Sequence, residues 1–531
     1  MPVGYFSLIL HAHLPFVRHP EYPEFLEEDW LFEAITEVYL PLIFIFQTLH
    51  ESGMKPRLAM NVSPTLCEML ADKLLETRYT QHLENLLELT KKEVKRTQNE
   101  APEFFDAAKM YLKNLSSALH LWNAKYNRNL INAFRELQDE GVLEIITCGA
   151  THGFLPLIST REAKRAQIEI AVKNYQKHFH RKPRGIWLPE CAYEHGIENL
   201  LKDAGIEYFV GDSHAILYGE PRPRHGVHAP VRCPNGVAVF ARDVETSQQV
   251  WSAEVGYPGN AVYREFYRDV GWDLPIEYLK PHLHKDGNRR NLGLKYYRIT
   301  GKTEYKEPYI PSLGELKAAE DAADFIGKRI RQAYLLRETF AAHPPLVVSP
   351  YDAELYGHWW SEGPQFLDFL FRELHYKKDE VRAITPGDFL DQKISIQIQQ
   401  PSASSWGANG YYKVWLNEGN SWMYPYQHDA ERRMTALANR FDNPDELTRR
   451  ALNQIARELL LAQSSDWAFQ IYQGTTVEYS SRRFRSHIHR FSLLVEQIET
   501  GVINEDLLTE IESRDNIFQE IDYRIYKTTI S

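Results

Sequence analysis

Short runs of apolar residues recur along the first two thirds of the chain, each followed by polar residues and then by a helical pattern. The runs span residues 5–10, 143–147, 185–188, 208–210 and 346–349. Because they are apolar throughout rather than alternately apolar and polar, they predict parallel strands buried on both faces of a sheet. The helical patterns between them predict a fold of the α/β class.

Two regions of the chain predict helices alone. Between residues 104 and 140, apolar side chains recur at helical spacing, and Gly141 follows as a C-cap. After about residue 429 the strand patterns stop, and residues 430–464, 482–500 and 505–520 predict amphipathic helices. We therefore expect a parallel barrel over residues 1–400, with a helical insertion at about 65–141, and an α-helical C-terminal domain over 401–531.

Polar side chains stand at the end of every predicted strand. In parallel sheets and barrels, the carboxyl ends of the strands are where functional residues gather. Capping of the following helix is the alternative explanation for any single Asp or Ser among them. Five strand ends with His, Asp, Glu or Ser favour a functional site at that end of the barrel.

Two histidines, His11 and His13, end the first strand. Their i, i+2 spacing places both imidazoles on one side of the strand. They could bind a metal, donate hydrogen bonds to a hydroxylated substrate, or be structural. A metal normally requires a third ligand, for which His152 and Asp212 are candidates.

Two carboxylates follow apolar strands and a proline. Glu190 lies in the segment WLPECAY and Asp352 in SPYDAELYGHWW, both rich in aromatic residues. Such a pair suits chemistry on a glycosidic bond, in which one carboxyl group handles the proton of the bridging oxygen. The second attacks the anomeric carbon or activates water. Helix capping by both acids is the alternative.

Composition narrows the class of protein. Aromatic residues form 12% of the 531 residues, with 11 Trp, 30 Tyr and 25 Phe, a supply that suits stacking on sugars or bases. The net charge of −11 argues against non-specific nucleic-acid binding. Four cysteines without a C-x-x-C pair argue against a disulfide scaffold and suit a reducing cytoplasm. We find no signal peptide, and the most apolar stretch, 38–49, is too short to span a bilayer.

Five segments in order resemble the motifs of glycoside hydrolase family 57, and most closely those of its 1,4-α-glucan branching enzymes. They are HAHLP at 11–15, GATHGF at 149–154, WLPECAY at 187–193, SPYDAELYGHWW at 349–360 and LAQSSDW at 461–467. The resemblance covers nearly the whole chain. It implies an incomplete (β/α)7 barrel related to the TIM barrel, a helical C-terminal domain, and retaining catalysis without metal or other cofactor.

The resemblance also implies roles for individual residues. Glu190 matches the nucleophile and Asp352 the acid/base. Further residues match substrate-binding positions or are additional groove aromatics: His11, His13, His152, Arg264, Trp272, Trp359, Trp360, Trp406, Trp415, Trp422 and Asp466. Arg268, one helical turn after Arg264, competes for the role of the substrate arginine. The implied substrate is an α-glucan polysaccharide such as amylose or glycogen, and the implied assembly is a monomer or small homo-oligomer, with no nucleic-acid or membrane partner.

The same acids would also serve a 4-α-glucanotransferase or an α-amylase-like hydrolase. The Pro- and Gly-rich segment 219–236 has the composition of a lid that could exclude water, although it lacks the tyrosine found in the lid of related branching enzymes. Outside the family, a metal-dependent polysaccharide deacetylase using His11, His13 and an aspartate is an alternative, as is a catalytically silent glucan-binding protein. Analysis of the products formed from amylose separates the activities within the family, and loss of activity with a chelator would indicate the metal-dependent deacetylase.

Overall fold

A computed structural model describes residues 2–252, 255–340 and 343–529. The described part contains ten strands and twenty α-helices. The strands are β1 (Gly4–Ala12), β2 (Leu58–Val62), β3 (Leu143–Ile146), β4 (Gly185–Trp187), β5 (Tyr208–Gly211), β6 (Val231–Arg232), β7 (Ala238–Ala241), β8 (Leu346–Asp352), β9 (Val381–Ala383) and β10 (Gln397–Ile398).

The first eleven helices are α1 (Asp29–Ala34), α2 (Leu40–Glu51), α3 (Pro64–Ala71), α4 (Lys73–Glu100), α5 (Phe105–His120), α6 (Leu130–Asp139), α7 (Arg161–Phe179), α8 (Ile197–Asp203), α9 (Ser213–Leu217), α10 (Val244–Trp251) and α11 (Val270–Asp273). The remaining nine are α12 (Ile276–Leu279), α13 (Pro311–Phe340), α14 (Gly363–Tyr376), α15 (Pro386–Asp391), α16 (Met423–Arg440), α17 (Glu446–Ala462), α18 (Ser465–Gln473), α19 (Val477–Thr500) and α20 (Glu505–Arg514).

Seven parallel strands form the barrel wall in the order β8-β1-β2-β3-β4-β5-β7. Backbone bonds of Thr147 with Gly185 and Trp187 join β3 to β4. A bond from the Asp243 N–H to the Val348 C=O connects the end of β7 to β8. One strand short of the usual eight, this arrangement confirms the predicted incomplete (β/α)7 barrel.

All five apolar runs of the sequence are strands in the structure. The residues of β1 are buried throughout, as expected for a strand covered on both faces. Five further strands were not predicted: β2, β6, β7, β9 and β10. They are two to five residues long, and a short apolar run cannot be told from part of a buried helix by periodicity alone.

The helical insertion between β2 and β3 consists of α3 to α6. The predicted pattern over 104–140 is not one helix, because Asn127 and Arg128 have positive φ angles and Asn129 caps α6. A second insertion lies between β7 and α13 and was not predicted. It contains three short helices, α10 to α12, and packs on the first insertion through contacts such as Tyr278 with Glu93.

The C-terminal helices are α16 to α20. The predicted helix 430–464 is divided in two, because the Asp445 side chain accepts a hydrogen bond from the Thr448 N–H and starts α17. The predicted helix 505–520 ends early, at Arg514. Between the last strand and α16, residues 399–422 form an irregular segment that reaches the carboxyl ends of the barrel strands.

The prediction of a lid at 219–236 is wrong for most of that segment. Residues 231–232 form β6, which pairs with β7 and β10. The His228 C=O accepts from the Leu346 N–H at the start of β8, and the His225 ring packs against Phe340 just before it. These contacts lie at the amino ends of the strands. The seven residues of β8, at about 3.3 Å each, separate that end from Asp352.

One helical stretch, Leu26–Glu51, is long and apolar enough to cross a membrane by length and composition alone. It comprises α1, a π-helical turn over Ile35–Tyr39, and α2. Most of the apolar part of this stretch is buried inside the protein, where Phe46 of α2 packs edge-on against Phe371 of α14. A core helix of a globular domain has these same properties.

Candidate active site

The predicted site residues from four strands converge at the carboxyl end of the barrel. His11 ends β1 in direct register with Asp352 of β8. His152 follows β3, and Glu190 follows β4 on a one-turn 3₁₀ helix. The His152 Nδ1 atom lies 3.7 Å from Glu190 Oε1, and the Glu190 charge acts on Asp352. The expected gathering of these side chains is therefore present.

Glu190 is held by two hydrogen bonds from outside the barrel. Trp406 donates from Nε1 to Glu190 Oε2 at 2.8 Å, and Ser465 donates from Oγ to Glu190 Oε1 at 2.8 Å. Burial raises the pKa of Glu190 to about 7, while these two hydrogen bonds act to lower it. The carboxyl group is thus oriented through both oxygens, and its ionisation falls in the neutral pH range.

The backbone around this carboxylate is strained. His152, Glu190 and Cys191 have φ angles of 58°, 62° and 50°, in the left-handed region that non-glycine residues seldom occupy. Each such residue costs about 1–3 kcal/mol and persists only where surrounding contacts hold it. Strain concentrated on a carboxylate and its neighbouring histidine favours a functional role for both.

Asp352 lies in a different electrostatic environment. Burial raises its pKa well above the usual value, and the charges of Glu354 and Glu190 raise it further. The neighbouring Glu354 accepts a hydrogen bond from the Tyr39 O–H at 2.5 Å. Burial and the two neighbouring carboxylates therefore all favour the protonated form of Asp352, the form that can donate a proton.

The three predicted histidines form a buried stack beside Glu190. The rings of His13 and His152 lie 3.8 Å apart, and His11 stacks on Trp187 at 4.5 Å. Burial lowers the pKa of His11 and of His152 well below the usual value, with repulsion from His13 adding to it. His11 and His152 are neutral and can each donate from only one ring nitrogen.

Because His11 and His152 are neutral, the protons in a chain of hydrogen bonds that ends at Glu190 can be assigned. With Glu190 ionised, the Ser465 hydroxyl donates to it and must accept from His152 Nδ1, which lies at 2.8 Å. His152 Nε2 then accepts from His11 Nε2 at 3.0 Å. The chain His11–His152–Ser465–Glu190 fixes the orientation of the carboxylate from the first strand.

Asp466 is paired with His13, as its position beside the site suggests. The His13 Nε2 and Asp466 Oδ2 atoms lie 3.1 Å apart, and Ser464 also donates to the same carboxylate. Burial alone would raise the pKa of Asp466, yet His13, with the hydrogen bond from Ser464, brings it down to about 2. Asp466 is thus ionised and charged over the whole neutral range.

Two groups of side chains at this site have metal-ligand geometry. The ligand atoms of His13, His152 and Asp466 lie within 4.8 Å of one another, as do those of His11, Cys148 and His152. The same atoms of His152 and Asp466 already take part in hydrogen bonds to protein groups. Asp212, the other predicted third ligand, is not near them, because it pairs with Arg242 and His214.

The predicted groove aromatics differ in accessibility. Trp406 contacts Glu190, while Trp359 and Trp272 are 53% and 55% exposed and remain predicted sugar-stacking residues.

Two of the predicted groove aromatics, Trp360 and Trp415, are each 1% exposed. Trp360 packs on Tyr263 and Phe366, and Trp415 packs on Phe154. Neither ring is open to a sugar in this structure, and their role in substrate binding stays a prediction. Trp422 is partly exposed, with the Arg485 guanidinium over its face.

The two candidate arginines point in different directions. Arg264 donates to the Tyr111 hydroxyl at 3.1 Å and to the His358 C=O at 3.1 Å, and is 4% exposed. Arg268 donates to Asp273 at 2.6 Å and lies over the ring of Tyr297. Arg264 is therefore the one beside the Asp352 motif, where it supports the loop of His358 rather than lying open to a ligand.

Two residues were not predicted: Ser465, which donates to Glu190, and Trp251, which lies against Trp406. Ser465 lies within the LAQSSDW segment, but its hydroxyl gave no signal distinct from helix capping. Trp251 ends α10, is 47% exposed and approaches Trp406 edge-on at 6.1 Å between ring centres. A large aromatic residue in an otherwise polar helix was the available signal for Trp251.

Comparisons with known proteins agree with this geometry. Residues 7–322 match the sequence profile of Glycosyl hydrolase family 57, and residues 426–526 match the profile "1,4-alpha-glucan branching enzyme, C-terminal". The chain is 36% identical to the 1,4-alpha-glucan branching enzyme TK1436 of Thermococcus kodakarensis, over 98% of this chain and 78% of that protein.

Solved structures are similar over almost the whole chain. The alpha-amylase AmyC from Thermotoga maritima matches with a TM-score of 0.93 at 43% identity, over 99% of this chain and 100% of that one. The GH57-type branching enzyme from Pyrococcus horikoshii matches with a TM-score of 0.89 at 35% identity, over 99% and 97%. Barrel and C-terminal helices together are thus a known arrangement.

Proposed function

The chain belongs to glycosyl hydrolase family 57, and from this membership and the site geometry we propose that it is a 1,4-α-glucan branching enzyme. It cleaves an α-1,4 linkage and transfers the released chain to a 6-hydroxyl group, forming an α-1,6 branch. One observation carries the assignment: the helices that match the branching-enzyme C-terminal domain supply Ser465 and Asp466 to the site. The part of the chain typical of branching enzymes is therefore part of the active site itself.

The proposed reaction has two steps that share one pair of acids. Asp352 donates its proton to the glycosidic oxygen, the bond from that oxygen to the anomeric carbon breaks, and Glu190 forms a covalent bond to that carbon. The 6-hydroxyl of an acceptor glucan then attacks the same carbon. Asp352 takes the hydroxyl proton, and Glu190 leaves as a carboxylate. Two displacements at one carbon retain its α configuration.

The electrostatics support this division of roles. The raised pKa of Asp352 favours the protonated form that the first step needs, and the hydrogen bonds from Trp406 and Ser465 to Glu190 favour its ionised, nucleophilic form. The activity should therefore have a bell-shaped pH dependence. It rises as Glu190 ionises near pH 7 and falls once Asp352 loses its proton at higher pH.

An α-amylase-type hydrolase is the second candidate, and the similarity to AmyC from Thermotoga maritima favours it. The same acids would act, with water instead of a glucan hydroxyl as acceptor. Aromatic walls that exclude water favour transfer. In this protein Trp406 donates to Glu190, and Trp251 lies edge-on to Trp406, so that the two rings are the candidates for such a wall.

Incubation with amylose separates these candidates. We expect α-1,6 linkages, counted by proton NMR or by chain-length analysis after debranching, with little new reducing sugar. Glu190→Gln and Asp352→Asn should each lower the rate by several orders of magnitude, because both steps need both groups. Reducing sugar without new branches would assign the protein as a hydrolase, and near-normal branching by either variant would contradict the catalytic roles.

Two further measurements test the mechanism. In the slow hydrolytic side reaction, retention predicts that the newly released anomer is α, and a β product would contradict a covalent intermediate on Glu190. Activity that survives in Glu190→Gln but is lost with a chelator would instead favour a metal-dependent deacetylase at His13, His152 and Asp466. We also propose a cytoplasmic enzyme of glycogen-type synthesis, which is supported by four buried cysteines that are all free.

A further inference from the structure

A polar cavity of about 370 Å³ lies outside the catalytic residues, between three separate parts of the chain. The segment before α1 contributes Glu24 and Phe25, α4 contributes Arg78, His82 and Asn85, and the second insertion contributes His284 and Arg290. Asp29 and Phe32 of α1 form its floor. Its volume falls within the range typical of ligand-binding pockets.

Asp29 and Arg290 are the central groups of this cavity. Asp29 is 7% exposed and lies 2.8 Å from Arg290 Nη1 through its Oδ2 atom. Within the part of the chain that the structure describes, Asp29 Oδ1 and Arg290 Nε have no hydrogen-bond partner. Buried polar atoms without partners are rare and costly, so these two are available to a ligand.

Two imidazoles face the free carboxylate oxygen at distances too long for hydrogen bonds. His82 Nδ1 lies 3.7 Å and His284 Nε2 lies 3.8 Å from Asp29 Oδ1. Burial lowers the pKa of both histidines, and Arg290 lowers it further. A ligand hydroxyl placed here could donate to Asp29 Oδ1 and accept from an imidazole N–H.

The mixture of charges selects the class of ligand. A phosphate or carboxylate would meet Asp29 and Glu24, and a metal cation would meet the Arg290 guanidinium. A neutral polyhydroxylated molecule suits both signs, because each of its hydroxyl groups can donate and accept. Phe25 and Phe32 add apolar ring faces of the kind that cover the apolar faces of sugars.

A line of acidic residues connects this cavity with the catalytic centre. Asp29, Glu33 and Glu37 stand at i, i+4 and i+8 along one helical stretch, so that Glu37 lies about 12 Å from Asp29. Glu37 Oε2 lies 2.6 Å from His358 Nδ1, six residues after Asp352. The exposed ring of Trp359 stands next to it, stacked on Phe266.

We propose that the cavity around Asp29 and Arg290 is an accessory saccharide-binding subsite that holds a remote part of a long α-glucan chain during transfer. The proposal rests on the proposed function only for the identity of the sugar. Binding there lengthens the contact between enzyme and polymer without touching the reacting atoms. It therefore acts on the affinity for long chains and not on the chemical step.

The test compares binding with turnover. In a Glu190→Gln background, maltoheptaose binding is measured by isothermal titration calorimetry with and without His284→Ala, a partly exposed lining residue. Asp29→Asn is the second variant, and its melting temperature shows whether the buried Arg290 charge is tolerated. The matched control is His489→Ala, which removes an exposed histidine of α19. In the active enzyme, the same substitutions are assayed with amylose and with maltoheptaose.

We expect maltoheptaose to bind in two events, one at the active site and a weaker one at the proposed subsite. The weaker one should lose about tenfold affinity in His284→Ala, which is the effect of one lost hydrogen bond to a charged or polar group. The KM for amylose should rise several-fold with kcat within about twofold, while the control stays at wild type. Unchanged binding and unchanged KM in both variants would overturn the proposal and leave a cavity that holds water only.

The failure of the proposed function has a different signature. If the wild-type protein does not act on amylose, binding is measured with other neutral oligosaccharides, such as cellohexaose and mannohexaose. Binding of any of them that weakens in His284→Ala and Asp29→Asn supports a saccharide subsite on a protein of different specificity. A protein that branches amylose normally while both variants bind like wild type retains its function and has no such subsite.

Discussion

The hydrogen bond from Ser465 to Glu190 gives the sharpest test of how the site is built. Ser465→Ala removes a hydrogen-bond donor that lies 2.8 Å from the Glu190 carboxylate. Because the two hydrogen bonds that Glu190 accepts lower its pKa, the loss of one of them should raise it. A hydrogen bond to a charged group contributes about 1.5–3 kcal/mol, equivalent to about 1–2 pKa units. The pKa of Glu190, about 7 in the intact site, should therefore rise to about 8–9.

The expected readout is the acid limb of the pH profile for kcat/KM. Raising the pKa of Glu190, the proposed nucleophile, moves this limb to higher pH by at least about one unit. At pH 7 the ionised fraction, and with it kcat/KM, should fall by about 5- to 50-fold. The assay is branching of amylose from pH 5 to 9, with the melting temperature followed in parallel.

Ser465→Thr serves as the matched control, because it keeps the hydroxyl. It should retain the wild-type acid limb even if extra volume lowers its overall rate. An acid limb that stays in place in Ser465→Ala, with normal folding, would refute the idea that this hydroxyl sets the ionisation of Glu190. A general loss of activity at every pH would point to a structural role alone.

Four further outcomes are expected. Glu190→Gln should stabilise the protein above pH 7 by up to about 3 kcal/mol, because the pKa of Glu190 is raised from 4.5 to about 7 and wild-type stability therefore falls as pH rises through that window. Melting curves of both proteins at pH 5 and pH 8 measure the difference, and an equal shift in melting temperature at the two pH values would contradict it. Trp406→Phe should move the acid limb upward as Ser465→Ala does, since it too removes a donor to Glu190. Trp251→Ala should leave the acid limb unchanged and lower the ratio of transfer to hydrolysis, measured as branches formed per reducing end. Shortening the segment 219–236 should lower the melting temperature and leave that ratio unchanged, and a changed ratio would restore its role as a lid.

The positions of the two proposed catalytic acids could be predicted from the sequence for a physical reason. Continuous apolar runs such as 185–188 and 346–349 identify buried parallel strands, and such strands all present their carboxyl ends at one edge. Glu190 and Asp352 follow these runs directly, so that their convergence follows from the topology. The structure shows this convergence in one pair of residues, since His11 of β1 lies in direct register with Asp352 of β8.

Exposure of individual rings could not be derived in that way. Trp359 and Trp360 are adjacent in the chain, yet the first is 53% exposed and the second 1%. Which ring faces solvent depends on the packing of distant residues, here Phe366 of α14 for Trp360. The segment 219–236 failed for a similar reason, since Pro and Gly content marks turns at either end of a barrel.

Long-range hydrogen bonds were equally beyond local patterns. Ser465 and Glu190 are separated by 275 positions, and their contact depends on how the C-terminal helices dock on the barrel. The same docking brings Asp466 to His13. Sequence motifs identified both partners as candidates, but only the fold gives the order of the chain His11–His152–Ser465–Glu190.

The contact of Ser465 with Glu190 has a consequence for synthesis of the protein in the cell. During translation the barrel residues emerge first, while α18 and the helices that pack on it follow at the end of the chain. Until those helices dock, Glu190 lacks one of its two hydrogen-bond donors and His13 lacks Asp466. A nascent or truncated barrel would therefore have an incomplete site, which is assembled only when the end of the chain has folded onto it.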